Sequence, residues 1–420
     1  MNVLQRSRRL ACVAGGAVLA LVLAGMSGMA GVAAAAVPAP AQARVTGMIF
    51  QSHVVASWGV NSYGQLGDGT TTSRSRYGDV NTLGNDVVRA AAGYFHSLAV
   101  RSDGTVWAWG DNQYGQLGDG TRTNRGSPVR VMGLTGVTQV AAGYGHSLAL
   151  RSDGTVWAWG SNTVGQLGSG VISDYQLTPV QETGLTGVTK ISAGAIFSLA
   201  LCSDGTVWAW GANQAGQLGN GTTANSSVPV KVAGLSQVTG ISAGEDASVA
   251  TRTNGISAVT SVWTWGGNNT GQLGDGTQTG HTTPERVTGL PAYIAGVGAG
   301  GAFAMVLGTD GSVWGWGEDL NGQLGNAPAS LPVTRPVNTI GAGSGITQIS
   351  AGLGHVLALK SDGTVLAWGA STDGQLGNGT TAIVVGPVQV SGLTSATQVS
   401  AGRAFSLAIH TVPWLTGQSS

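Results

Sequence analysis

Cysteine is nearly absent: the 420 residues hold two, Cys12 and Cys202. Cys12 falls in an N-terminal segment with the composition of a leader, so a processed chain keeps one thiol and forms no internal disulfide. Charge is scarce too, with Asp, Glu, Lys and Arg making only 9% of the chain. That is too little for a solvated, disordered polymer. No His/Cys/Asp/Glu grouping has the spacing of a metal site, and no catalytic serine motif appears. Packing, not cross-links or bound metal, has to stabilise this chain, and no cofactor is expected.

The N-terminus reads separately from the rest. Arg6, Arg8 and Arg9 precede an apolar stretch from Leu10 to Ala36, and small-x-small sites follow at Ala34–Ala36 and Ala41–Ala43. This is the layout of a secretory signal peptide, here residues 1–43. The apolar stretch is long enough to span a bilayer if retained, so an uncleaved anchor is the alternative. Cleavage removes three of the 19 basic residues and none of the 19 acidic ones, leaving a net charge of about −3. That sign opposes sequence-independent binding to nucleic acid.

Glycine is what the chain has in abundance, 71 residues, and it recurs at fixed places. Gly-Gln-Leu-Gly starts at Gly64, Gly115, Gly165, Gly216, Gly271, Gly322 and Gly374, at intervals of 50 to 55 residues. A phosphate loop would carry lysine after its last glycine; the seven copies carry Asp68, Asp119, Ser169, Asn220, Asp275, Asn326 and Asn378. Exchange among Asp, Asn and Ser suits turn hydrogen bonding. The motif is a structural turn written once per repeat.

Residues 137–180 show what one repeat builds. "VTQVAAG" is a short β-prone run, "HSLALR" alternates, and Ser152-Asp153-Gly154 is a hairpin turn leading into "TVWAWG". After the Gly-Gln-Leu-Gly loop, "LTPVQE" returns as a fourth strand. Four antiparallel strands in about fifty residues make one propeller blade. Trp157 and Trp159 are two apart and share a sheet face. Their recurrence as Trp107/Trp109, Trp208/Trp210, Trp263/Trp265 and Trp314/Trp316 indicates packing between blades. The N-terminal "VVASWG" (54–59) supplies only strands three and four of a blade, and the C-terminal "TQVSAGRAFSLAIH" (397–410) only strands one and two. Together they complete a seventh blade and close the ring, which removes open sheet edges.

The stretch "AAGYGHSLALRSDGTVWAWGSNTVGQLGSG" (141–170) resembles the regulator of chromosome condensation repeat, and the resemblance covers essentially the whole chain after residue 43. It implies an all-β, seven-bladed β-propeller with four-stranded antiparallel blades, spanning 44–420. The family's best-known activity is nucleotide exchange on a small nuclear GTPase, together with chromatin binding. The signal peptide and the negative mature charge point away from both.

Comparison among the repeats locates the variable positions. The Ser-Asp-Gly hairpins and Gly-Leu-Thr-Gly connections, on one face of the disc, hardly vary. On the other face the turns between strands one and two differ in every blade, from Tyr94–Phe95 and Tyr144–Gly145 to Glu245–Asp246 and Arg403–Ala404. Tyr63 and Tyr114, from the loops after strand three, join Tyr94, Phe95 and Tyr144 on this face, with Arg122 and Arg125 in adjacent long loops. Tyr with Arg is the chemistry of protein-binding hot spots. His96, His146 and His355 share their slot with Phe197, Ala247, Phe303 and Phe405, so it is a packing slot, and no catalytic or metal-binding residue is expected. Cys202, in a slot filled by Arg101, Arg151 and Lys360 elsewhere, is expected at the surface.

The reading is a secreted bacterial, non-catalytic interaction module. It engages a protein partner at the cell surface or in the medium, as a monomer, without nucleic acid and without a stable membrane span after cleavage. The alternatives are an extracellular polysaccharide-active enzyme, with Glu245 or Asp246 at its centre, and a carbohydrate-binding propeller. The longer hairpin "NGISAVTS" (254–261) is the largest departure from the repeat.

Overall fold

The computed structural model describes residues 49–254, 259–326 and 331–415. The signal-peptide reading for 1–43 lies outside them, as do residues 255–258 of the longer hairpin at 254–261. Among the described residues no helix is long and apolar enough to cross a membrane. They form seven four-stranded antiparallel sheets. We number these as blades 1 to 7 and letter the strands of each from a at the axis to d at the rim.

Blade 2 is built as its sequence predicts, from Val137–Ala142, His146–Arg151, Val156–Ser161 and Tyr175–Gln181. Strand d starts two residues earlier than the apolar pattern suggested. The b–c hairpin is closed by Asp153, whose Oδ1 accepts from the Thr155 amide and hydroxyl, while Gly154 takes the positive φ of +79°. Blade 7 is the shared one. Ala396–Ala401 and Phe405–Leu415 supply strands a and b, and Ile49–Gly59 and Arg74–Asp79 supply c and d. Its b and c strands pair from Ile49↔Leu415 through Gly59↔Phe405, so the ring closes as expected.

The core consists of the layers between neighbouring blades. Trp109 of blade 1 packs with Val55, Leu66 and Phe405 of blade 7, and Trp107 lies against the same cluster. Trp159 and Trp157 likewise face blade 1, and Trp210 and Trp208 face blade 2. The second tryptophan of each pair is completely buried. The first is half-buried, and in blades 1 to 3 its indole N–H donates to the threonine after the b–c turn. Packing between blades therefore accounts for the tryptophan repeat, and each buried ring is worth about 3–5 kcal/mol against truncation.

Gly-Gln-Leu-Gly links each blade to the next. Its leucine is fully buried in all seven copies. The main-chain carbonyl of its glutamine accepts the indole N–H of the following blade's buried tryptophan, as in Trp109 to Gln65 at 2.8 Å and Trp58 to Gln375 at 2.8 Å. The last glycine is where that indole passes: a Cβ on Gly67 would stand 2.7 Å from Trp109 Nε1. No side chain larger than hydrogen fits there.

One expectation fails in this core. Cys202 is 8% exposed and packs with Leu148, Val188 and Trp210. Arg101, Arg151 and Lys360 carry their charge outward from this slot on long stems, whereas the short apolar thiol turns in.

Candidate functional site

Each a–b turn leads out of an Ala-Gly pair at the end of the inner strand, from Ala92–Gly93 in blade 1 to Ala401–Gly402 in blade 7. These pairs line a narrow axial channel of about 90 Å³. The turns are tied to one another by main-chain hydrogen bonds across the blade boundaries. Tyr94 N–H donates to Gly143 O at 3.1 Å, Tyr144 to Ala195 O at 2.9 Å, Ala195 to Gly244 O at 3.2 Å and Arg403 to Gly93 O at 3.2 Å. A Cβ on Gly93 would approach Gly143 O to 2.9 Å, so these contacts need glycine. The result is a braced annulus whose side chains are the variable ones, the arrangement a recognition site requires of its support.

On one arc of the annulus the aromatic side chains meet. Tyr94 and Tyr144 lie 5.1 Å apart between ring centroids, Phe95 and Tyr144 5.9 Å, and Tyr63 and Phe95 5.1 Å. Tilted and edge-on geometries at these separations favour the cluster beyond the area it buries. Tyr144 remains 41% exposed. Tyr114 stands one blade further on, its ring over Gly145.

The arginines named from sequence lie elsewhere. Arg125 donates through two nitrogens to Asp119 Oδ2, at 3.0 and 2.8 Å, inside its own c–d loop. Arg122 donates to Gln113 O at 2.7 Å and covers the Tyr175 ring at 4.6 Å, at the outer edge of blade 2. The guanidinium that does reach the cluster is Arg403, 4.9 Å from the Phe95 centroid. The sequence places Arg403 among the variable turns but not with the aromatic residues, because it lies some three hundred residues away in the chain. Once the ring is closed, blades 7 and 1 are neighbours, and that closure was the available signal.

A cleft of about 640 Å³ opens beside the aromatic arc. Tyr94, Tyr144 and Ile196 line one side, and Glu245 and Asp246 line it from the blade 4 turn. Burial pushes the Asp246 carboxyl above its ordinary range, against the Gln272 amide at 3.3 Å that favours its charge. Burial raises Glu245 as well, reinforced by Asp246 and Glu318 and opposed by Arg403. The Tyr94 phenol is pushed up by burial and then by Glu245. Two acidic side chains and no basic one therefore line this mouth.

The histidines are structural, as their shared slot implied. His96, His146 and His355 are fully buried, each with Nε2 on a serine of the next blade, at 2.9 Å for His96 and Ser147. Ser147 already donates its proton to Gln116 O at 2.8 Å, so its oxygen accepts from Nε2–H and the imidazole is the neutral Nε2–H tautomer. Burial holds these rings neutral, pushing His96 down to about 3 and His146 and His355 to about 4. Among the described residues no group of three or more His, Cys, Asp or Glu is placed to hold a metal ion.

Comparison with known proteins agrees with this geometry. The RCC1-like domain model matches residues 42–337, and the regulator of chromosome condensation repeat matches 362–409 and 346–375. The chain is 31% identical over 342 residues to the ultraviolet-B receptor UVR8 of Arabidopsis thaliana, covering 79% of this chain and 76% of the receptor. It is 36% identical over 253 residues to the probable E3 ubiquitin-protein ligase HERC6 of Homo sapiens, but there the match spans 57% of this chain and only 24% of the ligase. Yeast RCC1 (Prp20), solved bound to Kap60, superposes with a TM-score of 0.76 at 24% identity, over 87% of this chain and 90% of that one. With the family model covering more than two thirds of its length, this chain belongs to the RCC1-like domain family.

Proposed function

We infer that the protein is a secreted, non-catalytic interaction module that engages a protein partner with the a–b turn face of its propeller. The observation that carries this reading is the Tyr63/Tyr94/Phe95/Tyr144 cluster standing on a hydrogen-bonded annulus at the face that varies between repeats. Tyrosine offers large contact area for little conformational entropy, and a braced support limits the ordering cost of association. The relatives support the class of function: yeast RCC1 is solved with Kap60 bound, and the Saccharomyces cerevisiae protein Prp20p is described by its binding to Gsp1p and histones. Export rests on the leader-like residues 1–43.

A photo-reactive residue placed at Tyr144 tests the reading, with one at Asp153 on the opposite face as reference. Each is exposed to the envelope and culture-medium proteins of the source. A protein adduct is expected from position 144 and not from 153, and it disappears in Tyr94→Ala/Phe95→Ala of unchanged melting temperature. The same adducts from both positions would refute the rim. Turnover of a polysaccharide by the wild type, abolished by Glu245→Gln, would establish the enzyme reading in its place.

A further inference from the structure

The cleft beside the aromatic arc has two chemically distinct sides. Tyr94, Tyr144 and Ile196 present apolar area, and Glu245 and Asp246 present carboxyl groups. At about 640 Å³ it lies within the range of sites that enclose a ligand or an inserted side chain. Its polar complement is entirely acidic or neutral, since no Lys, Arg or His lines it.

Many of the other acids of the ring are taken up locally. Asp68, Asp86, Asp119, Asp153 and Asp362 each have an arginine or lysine within 4 Å, and Asp79 and Asp275 each have a histidine Nε2 at hydrogen-bond distance. Asp103, Asp204 and Asp310 are absorbed into b–c turns by the hydroxyl two residues on. Among the described residues, neither Glu245 nor Asp246 has a cation within ion-pair distance. They stand adjacent in sequence and partly desolvated: burial raises the proton affinity of both, and Asp246 and Glu318 raise that of Glu245 further. Arg403 acts on Glu245 from across the channel, yet its guanidinium lies over Phe95, outside this cleft. That contact also demonstrates within this molecule that a guanidinium settles on the aromatic cluster.

Aromatic faces opposite unpaired carboxylates form a receptor for a planar cation. A guanidinium stacks on rings and donates in a fork that matches carboxylate oxygens. We propose that the cleft seats one arginine side chain carried on a projecting loop of the protein partner, its stem along Tyr94 and Tyr144 and its guanidinium toward Glu245 and Asp246. The proposal rests on the binding-rim reading and narrows it to a chemistry. Tyr94 and Tyr144 supply contact area to any partner, while Glu245 and Asp246 select the cation.

The test uses the full chain and two disulfide-closed hairpin peptides identical except at the tip, arginine in one and citrulline in the other. Citrulline keeps the shape and removes the charge. By titration calorimetry in 50 mM salt, the arginine peptide is expected to bind at least tenfold more tightly. Glu245→Gln/Asp246→Asn, which preserves volume, should bring the two peptides within about twofold, and Tyr144→Leu should weaken both. Equal binding of the two peptides, no binding of either, or an arginine preference that survives the double substitution overturns the proposal. The adduct at position 144 separates the two readings. If it forms undiminished in the Glu245→Gln/Asp246→Asn protein, the rim stands and the arginine seat falls. If position 144 gives no face-specific adduct, the rim itself falls.

Discussion

Glu182 is a residue out of place. In the same slot of other blades, just after strand d, stand Val80, Val131, Val232, Val287 and Val390, each buried. Glu182 is buried to 4% exposure beside Trp210 and Cys202, and neither carboxylate oxygen has a hydrogen bond of good geometry. Burial pushes its carboxyl up to about 7, partly offset by the Leu185 amide. The native state thus holds a proton that the unfolded chain, with its ordinary carboxyl near 4.5, releases. Stability is then greatest below the unfolded value, falls as pH rises from there to about 7, and stays lower above it. Glu182→Val should raise stability by about 3 kcal/mol at pH 8 and flatten the decline between pH 4.5 and 7. Urea denaturation of both proteins across that range checks it. A valine variant that is no more stable at pH 8, or that keeps the slope, would show that Glu182 is compensated in some other way.

The decisive element is the Gly-Gln-Leu-Gly loop, and two of its demands on glycine can be separated by experiment. Gly118 has φ +65°, and a Cβ there would lie 2.9 Å from both Trp159 Nε1 and Val131 Cγ1. Gly133, in the connection after strand d, has φ +70° with nothing within 4 Å of the added atom. Gly133→Ala therefore meets only the left-handed backbone penalty, about 1 kcal/mol. Gly118→Ala must also displace the indole from the Gln116 carbonyl, 2.8 Å away, and should lose about 3 kcal/mol or more. Equal losses in chemical denaturation would mean that the loop yields without moving the tryptophan.

The same elements explain what could be read in advance. The repeat period, the Asp-Gly turns and the paired tryptophans each report a local need that recurs in the blades, so seven blades and a shared closing blade follow from them. The aromatic arc was also visible, because it is local in ring order: Tyr63, Tyr94, Phe95 and Tyr144 come from consecutive repeats. Arg403 and the acidic side of the cleft were harder to place, since they reach the aromatic residues only across the closure or around the annulus. Arg122 and Arg125 share the loop face with the tyrosines but are taken up by Tyr175, Gln113 and Asp119 at its edge. Glu182 could have been found by comparing slots, as the histidines were, because valine holds the position in sister repeats.

At the scale of the whole molecule, the seven interblade layers are equivalent until the chain ends are considered. Strand c of blade 7, Ile49–Gly59, is paired on one side with the C-terminal strand Phe405–Leu415 and on the other with Arg74–Asp79. Its alternating side chains serve two layers: Ala56 and Trp58 pack toward blade 6, and Val55 packs toward blade 1. Removing residues 49–59 therefore takes a buried tryptophan from one boundary and apolar contacts from the next, and leaves two sheet edges unpaired. A closed ring has no other point at which one deletion opens two layers at a blade built from both chain ends. The deletion should lower the melting temperature by about 10 °C or more and broaden the calorimetric transition. Hydrogen exchange should rise first in blades 6 and 1, beside the gap, and last in blades 3 and 4 across the ring. A melting temperature within a degree or two of the parent would mean that each blade stands on its own layers. Loss of protection spread evenly over all seven would mean that the ring opens as one cooperative unit, with no weak seam at the shared blade.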